Sequence, residues 1–310
     1  MKNANIKPEH YSFTRYLETK VDVDNRALNQ QVWSKLSEEL GKRETLRIVE
    51  VGAGIGTMVD RFLSASLFQQ AAYTGLDVSP ENISYARERL PSWAQKNGFQ
   101  VTGTRTGCFL LERNSQKISV EFRAADVMDF VVHDGNWMNY DLLIAHAFMD
   151  LVDIPSILPG LFRLLDKKGL FYLTINYDGL TVLEPTIDDD LDRQVLKLYH
   201  ERMDKRVRHA LPSGDSLSGR HLFNHIRKAG GKILAAGSSD WVVFAGENGY
   251  TEDEAYFLHF IIHTISTALQ NHPMLNLHAF EEWVNARHAQ INSSELVYIA
   301  HQIDFLGHLS

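Results

Sequence analysis

Three glycines in five positions, Gly52, Gly54 and Gly56, follow the stretch Arg47–Val51 and precede a segment of helical periodicity that opens at Thr57. Glycines in such a turn let a ligand approach the backbone, and the N–H groups that begin the next helix attract negative charge. Two familiar uses of the arrangement fit poorly. A dinucleotide turn wants G-x-G-x-x-G; here the third glycine comes one place early, and Thr57 holds the expected position. A phosphate-cradling P-loop needs a lysine after its last glycine, and none follows Gly56. Glu50, two residues ahead of Gly52, adds a sign to the argument. A carboxylate there opposes a phosphate and favours a cation.

The elements that must hold this turn read as an alternation. Strand-like and helix-like segments succeed one another from about residue 45 to 245, the pattern of a parallel sheet covered by helices. Strands are expected at Thr45–Gly52, Ala71–Ser79, Ile118–Asp126, Tyr140–Phe148 and Gly169–Tyr177, and two more in Gly231–Ala245 around a Gly-Ser-Ser turn. Ser79 and Pro80 open a helix as cap and first-turn residue, and Gly169 is expected to end another. After Gly249 the chain reads as helical. Thr251 and Glu254 form a capping-box pattern there, and further helices are expected around 280–289 and 294–305.

Composition narrows the class. The 310 residues carry 39 acidic and 31 basic side chains, a formal charge of −8, and 44% are hydrophobic. Basic residues are not gathered on one stretch as a nucleic-acid partner requires, so no nucleic acid is expected. No run approaches the ~20 apolar residues of a membrane span. Cys108 is the single cysteine, which leaves neither a disulfide framework nor a thiolate cluster. His259 and His263 stand four apart on one helical face but lack a third ligand, so no metal is expected. A cytoplasmic protein acting on a small molecule is the starting expectation.

A ligand with cationic groups and no phosphate answers both the glycine spacing and Glu50; S-adenosylmethionine, with its ammonium and sulfonium, is such a ligand. "VEVGAGIG" resembles the E/D-x-G-x-G-x-G first motif of the class I S-adenosylmethionine-dependent methyltransferases, and the resemblance continues in that family's order over roughly residues 45–245. It implies that Glu50, Gly52, Ala53, Gly54, Gly56 and Thr57 line the cofactor. It implies further that Asp77, followed by Val78, grips the ribose hydroxyls, and that Asp126 and Val127 meet the adenine. His146 then falls where the family lines the methionine portion and the methyl group, and Tyr16 on an N-terminal helix would face the sulfonium. The implied fold is a doubly wound, mostly parallel seven-stranded sheet with helices on both faces, in the Rossmann-like manner.

Three parts are expected: an N-terminal helical lid over 1–44, the cofactor domain over 45–249 with insertions at about 102–117 and 178–231, and a C-terminal helical segment over 250–310 that caps the site or forms a homodimer seam. Catalytic candidates are His146, whose side-chain type titrates near neutral pH, and Tyr177 and Asp178 at the end of the fifth strand. Tyr11, Glu184 and Arg220 are candidates for the acceptor. Glu184 with Arg220 would suit an amino acid or another zwitterion. The expected reaction is in-line methyl transfer to a small molecule. The alternatives are a non-catalytic protein that binds the same cofactor and an NAD-dependent oxidoreductase.

Overall fold

The computed structural model describes residues 6–105, 107–133, 137–208, 211–251 and 253–309. In chain order the helices are α1 (Phe13–Thr19), α2 (Val21–Ala27), α3 (Gln30–Leu40), α4 (Thr57–Ser64), α5 (Pro80–Lys96), α6 (Val127–His133), α7 (Ile154–Arg163), α8 (Asp189–Asp204), α9 (Ser218–Lys228), α10 (Glu254–Leu269) and α11 (Leu277–Asn292). The strands are β1 (Thr45–Val51), β2 (Gln70–Asp77), β3 (Gln100–Arg105), β4 (Cys108–Arg113), β5 (Gln116–Ala124), β6 (Tyr140–His146), β7 (Leu165–Glu184), β8 (Val207–Arg208), β9 (Leu211–Pro212), β10 (Gly231–Ser238), β11 (Trp241–Val243) and β12 (Val297–Leu309).

Two compact units are built from interleaved segments. The sheet unit takes Leu28–Asn176, Ser218–Ser239 and Ile303–Ser310. Its strands run in the order β10-β12-β7-β6-β1-β2-β5-β4-β3. β5, β2, β1, β6 and β7 are mutually parallel neighbours. β10 pairs antiparallel with β12, and β4 pairs antiparallel with both β3 and β5. The doubly wound class therefore holds, with a sheet larger than the seven strands expected. The hairpin turning at Asn114–Ser115 adds β4 and β3 to one edge. Alternation along β1 explains the two layers: Leu46 and Ile48 join α3, α4 and α5 in one core, whereas Val49 and Val51 join α6, α7 and α9 in the other. α3, expected to be part of a lid, buries Val32, Leu36 and Leu40 in the first of these cores.

Two local expectations fail. The helix expected to end at Gly169 stops at Arg163, and Gly169 lies inside β7. The segment expected as a helix near 294–305 is instead strand β12. Its apolar residues satisfy either period, and pairing with β10 and β11 decides for the strand.

The helical unit comprises Met1–Ala27, Tyr177–Leu217 and Asp240–Gln302. α10, apolar nearly all round, packs against α1, α8 and α11. At its start the Thr251 N–H and hydroxyl both donate to Glu254 Oε2, at 3.1 and 2.7 Å. The N-cap, however, is Asp253, without a side-chain cap bond, so the reciprocal capping box expected of Thr251 and Glu254 is not formed. The acidic run Asp188–Asp190 opens α8, with Asp188 as N-cap. Trp241 is buried and donates its Nε1–H to Asp24 Oδ1 at 2.9 Å.

Candidate functional site

The glycine turn stands at the carboxyl end of β1, where open α/β sheets present ligands. Gly52, Gly54 and Gly56 all have positive φ, at 68°, 53° and 79°. Gly56 also has no room for a side chain: a Cβ there would meet Phe122 Cζ at 2.5 Å. The close packing that a dinucleotide turn reserves for its third glycine is thus achieved one position earlier. Gly56→Ala is expected to cost about 3 kcal/mol through left-handed strain and overpacking. A urea midpoint would show it, and Phe122→Leu in the same chain should recover only the packing share.

Hydrogen bonds tie the turn to β2. Ala53 N–H donates to Leu76 O at 2.8 Å, and Gly54 N–H donates to Asp77 Oδ2 at 2.8 Å. The other oxygen of Asp77 accepts from Ser79 N–H at 2.8 Å and from Asn82 Nδ2 at 3.2 Å. Its orientation is fixed from both sides, and a carboxylate with about four acceptor sites keeps capacity for a ligand hydroxyl. On the neighbouring strand end, Ala125 N–H donates to Asp77 O at 2.9 Å. Asp126 then caps α6, its Oδ1 accepting from Met128 N–H at 2.8 Å. Val78 and Met128 are exposed beside these acids and Val127 is half-buried, an apolar setting for a flat ring.

Glu50 differs from its expectation. It is 1% exposed and accepts a hydrogen bond from Tyr73 OH at 2.6 Å. Burial pushes its pKa up to about 8, against the opposing pull of the Tyr73 hydrogen bond and the Arg61 charge. In the chain alone it is largely neutral at pH 7, and a cation placed beside it would draw the proton off.

His146 closes the row at the end of β6. Arg61, on α4, approaches its Nε2 at 3.5 Å and also donates to Thr57 Oγ1 at 3.2 Å. A guanidinium can only donate. Nε2 is therefore the acceptor, and the Nδ1–H donates to Thr174 Oγ1, 2.8 Å away on β7. Directly after this pair, Ala147 and Ile175 adopt left-handed backbone, at φ 50° and 56°. Arg61, Tyr73 and Thr174 went unnoticed in the sequence. Arg61 was accessible in principle, one turn after Thr57 on the helix that the glycines open.

The remaining candidates lie elsewhere. Arg220 is exposed near the start of α9 in the sheet unit. The others belong to the helical unit. Tyr177 OH bonds Thr181 Oγ1 at 2.7 Å and His200 Nε2 at 2.6 Å. Asp178 is 4% exposed, with Oδ2 3.7 Å from His301 Nε2; the opposite nitrogen of that ring bonds Asp240 Oδ1 at 2.7 Å. Glu184 is exposed, and its Oε2 accepts from Thr186 N–H at 2.9 Å, a local turn contact. Tyr16 stacks on Phe260 with centroids 4.2 Å apart, and Tyr11 on His263 at 4.1 Å, so α10 supplies both with aromatic partners. Burial raises the Tyr11 phenol to about 12. His259 is buried with its Nδ1 2.9 Å from His288 Nδ1. Among the described residues no group of three or more His, Cys, Asp or Glu is placed to hold a metal ion, and no helix is long and apolar enough to cross a membrane.

Residues 49–171, which contain the turn, Asp77, Asp126 and His146, match the family model for a methyltransferase domain. The matched segment is thus similar to a methyltransferase domain, in keeping with the class I, S-adenosylmethionine-dependent type that the motifs resemble. No curated protein sequence matches it. Among solved structures, similarity is found to a Bacillus halodurans C-125 protein provisionally classed as a methyltransferase, at 11% identity over 89% of this chain and 97% of that one, with a TM-score of 0.49. An S-adenosylmethionine-dependent methyltransferase from Thiobacillus denitrificans, solved with S-adenosyl-L-homocysteine, is similar at 12% identity over 95% and 98%, TM-score 0.45. The geranyl diphosphate C-methyltransferase of Streptomyces coelicolor is similar at 11% identity over 100% and 90%, TM-score 0.41.

Proposed function

We propose that the chain transfers a methyl group from S-adenosylmethionine to a small-molecule acceptor in the cytoplasm. One observation carries the reading: Glu50, Asp77, Asp126 and His146 stand at the carboxyl ends of the neighbouring strands β1, β2, β5 and β6, around a turn of left-handed glycines. Glu50 takes the ammonium of the methionine portion, Asp77 the ribose hydroxyls, and Asp126 with the Val127 backbone the adenine. Gly52, Ala53, Gly54, Gly56 and Thr57 give the ligand backbone to lie against. When bound there, the cofactor would supply an electrophilic methyl group for transfer to the acceptor, with the sulfur as leaving group.

The chain's contribution is alignment, which supplies roughly 7–11 kcal/mol where reacting atoms are held near contact. His146 donates through one nitrogen and faces a guanidinium with the other, so it positions rather than accepts protons. Tyr177 and Asp178, each with a histidine partner within the helical unit, are kept as the candidates for taking a proton from an acceptor. Glu184, engaged in a local turn contact, and Arg220 are each kept as a candidate for an acceptor's charged groups.

Thermal shifts with S-adenosylmethionine, S-adenosylhomocysteine, NAD and NADP test the reading. A ligand at a hundred times its Kd stabilises by about 2.7 kcal/mol. The adenosyl ligands alone should shift the transition. A shift with NAD or NADP instead would overturn the assignment of Glu50 and the early third glycine. Binding without methyl transfer to any amine, amino acid or hydroxyl acceptor would leave a non-catalytic cofactor-binding protein.

A further inference from the structure

β6 ends at His146, and at the same level the extended run of β7 is broken by one left-handed residue before the strand continues to Glu184. His146 pairs with Thr174 across the ladder, and the residues that follow them, Ala147 and Ile175, are both left-handed. Ala147 N–H donates to Thr174 O at 2.9 Å, so the two breaks are joined. For a β-branched side chain such as Ile175 this backbone region is an outlier, and it persists only where the surroundings over-determine it. Ile175 is buried, and the group that holds its backbone comes from β12. Asp304 is 0% exposed; its Oδ1 accepts from Ile175 N–H at 2.7 Å and its Oδ2 from Asn29 N–H, at the cap of α3, at 2.9 Å. A second contact fixes the next residue, with Asn176 Nδ2 donating to Ile303 O at 2.7 Å.

A buried carboxylate is an expensive way to satisfy two amides unless the geometry it imposes matters. That geometry is the placement of Thr174. With Ile175 turned into the left-handed region, β7 kinks just past the residue whose hydroxyl accepts from His146 Nδ1–H, and the imidazole is held toward Arg61. We propose that Asp304 is a positioning residue of methyl transfer: by locking Ile175 it sets Thr174 against His146 and shapes the wall beside the methionine portion of the cofactor. This rests on the cofactor reading above. Asp304 itself touches neither cofactor nor acceptor.

The test compares Asp304→Asn, Thr174→Val, Ile175→Gly and the Asp304→Asn/Ile175→Gly double variant. Two quantities are read: S-adenosylhomocysteine affinity by calorimetry, and the imidazole nitrogens of His146 by NMR on 15N-histidine-labelled protein. Asp304→Asn and Thr174→Val should each weaken binding about tenfold and remove the single Nδ1–H tautomer. Glycine adopts positive φ without help. The double variant should therefore bind within about threefold of wild type and regain the His146 tautomer, while its melting temperature stays depressed. Failure of that rescue, or an unchanged histidine signature and affinity in Thr174→Val, overturns the proposal. The Thr174 arm decides the matter even where Asp304→Asn fails to fold. Wild-type protein that binds no adenosyl ligand overturns the cofactor reading instead, and the histidine signatures still judge the role of Asp304.

Discussion

Glu50→Gln is expected to weaken S-adenosylmethionine binding about a hundredfold while making the free protein more stable at alkaline pH. Both effects have one cause. Glutamine keeps an acceptor oxygen for Tyr73 OH, so the hydrogen bond survives while the charge is lost. Removing one member of a buried charge pair typically costs about 2–5 kcal/mol of binding. The stability gain follows from the raised pKa of about 8 against an ordinary 4.5. As pH rises above 4.5 the unfolded chain gives up this proton first, so the native state of the wild type loses ground. The loss accumulates until pH passes about 8 and then levels off. At about 1.36 kcal/mol per pKa unit it reaches a few kcal/mol. Glutamine removes the penalty. The two proteins should melt alike near pH 4.5 and diverge toward pH 8, where the variant melts higher.

Binding carries the same signature with the opposite sense. A cation bound at Glu50 needs the carboxylate, so wild-type affinity should climb by up to tenfold per pH unit below 8 and flatten above it. Calorimetry in buffers of different ionisation enthalpy should register the released proton. The glutamine variant should show neither the slope nor the proton. A wild-type affinity that is flat between pH 6 and pH 8 would remove Glu50 from contact with a positive ligand group.

Asp77→Asn is expected to lower cofactor affinity about a hundredfold for a different reason. Each oxygen of Asp77 already accepts from an N–H that cannot turn away: Gly54 on one side, Ser79 and Asn82 on the other. An amide set into that position places donor against donor whichever way it is rotated, and it supplies one fewer acceptor for the ribose hydroxyls. The turn loosens and the ligand loses its anchor together. Calorimetry with S-adenosylhomocysteine and the urea midpoint separate the two losses. The unfolding free energy read from it should fall by only about 1–3 kcal/mol. Unchanged affinity in a folded variant would mean that the ribose lies elsewhere.

What could be read from the sequence were features set within one strand and the turn that follows it. The glycines, Glu50, Asp77, Asp126 and His146 each sit at the end of a short run of strand character, so their common edge followed from the parallel order alone. Features set by distant partners were not readable. Val297–Leu309 satisfies helix and strand periods equally, and only β10 and β11 decide it. The protonation of Glu50 depends on its burial and its hydrogen bond from Tyr73, which no local pattern reports. Tyr11 and Tyr16 offered aromatic faces, but whether these meet a sulfonium or a helix depends on α10, far along the chain. Asp304 lay inside an apolar stretch with nothing to distinguish it from a solvated acid.

β12 has a consequence for how the chain tolerates change. It lies between β7 and β10, and its antiparallel pairing with β10 closes at Ser238 and Ile303. Antiparallel neighbours can be joined by a turn of two residues. The ladder continues through β11 to Val243 and Tyr298. Topologically, residues 244–296 are thus one hairpin loop grown to hold two helices, and residues 185–217 are a detour between β7 and α9. In sequence, both stretches are insertions between elements that keep their order in the sheet. Such segments can be lengthened, shortened or exchanged while the strands that carry the glycine turn keep their order and register.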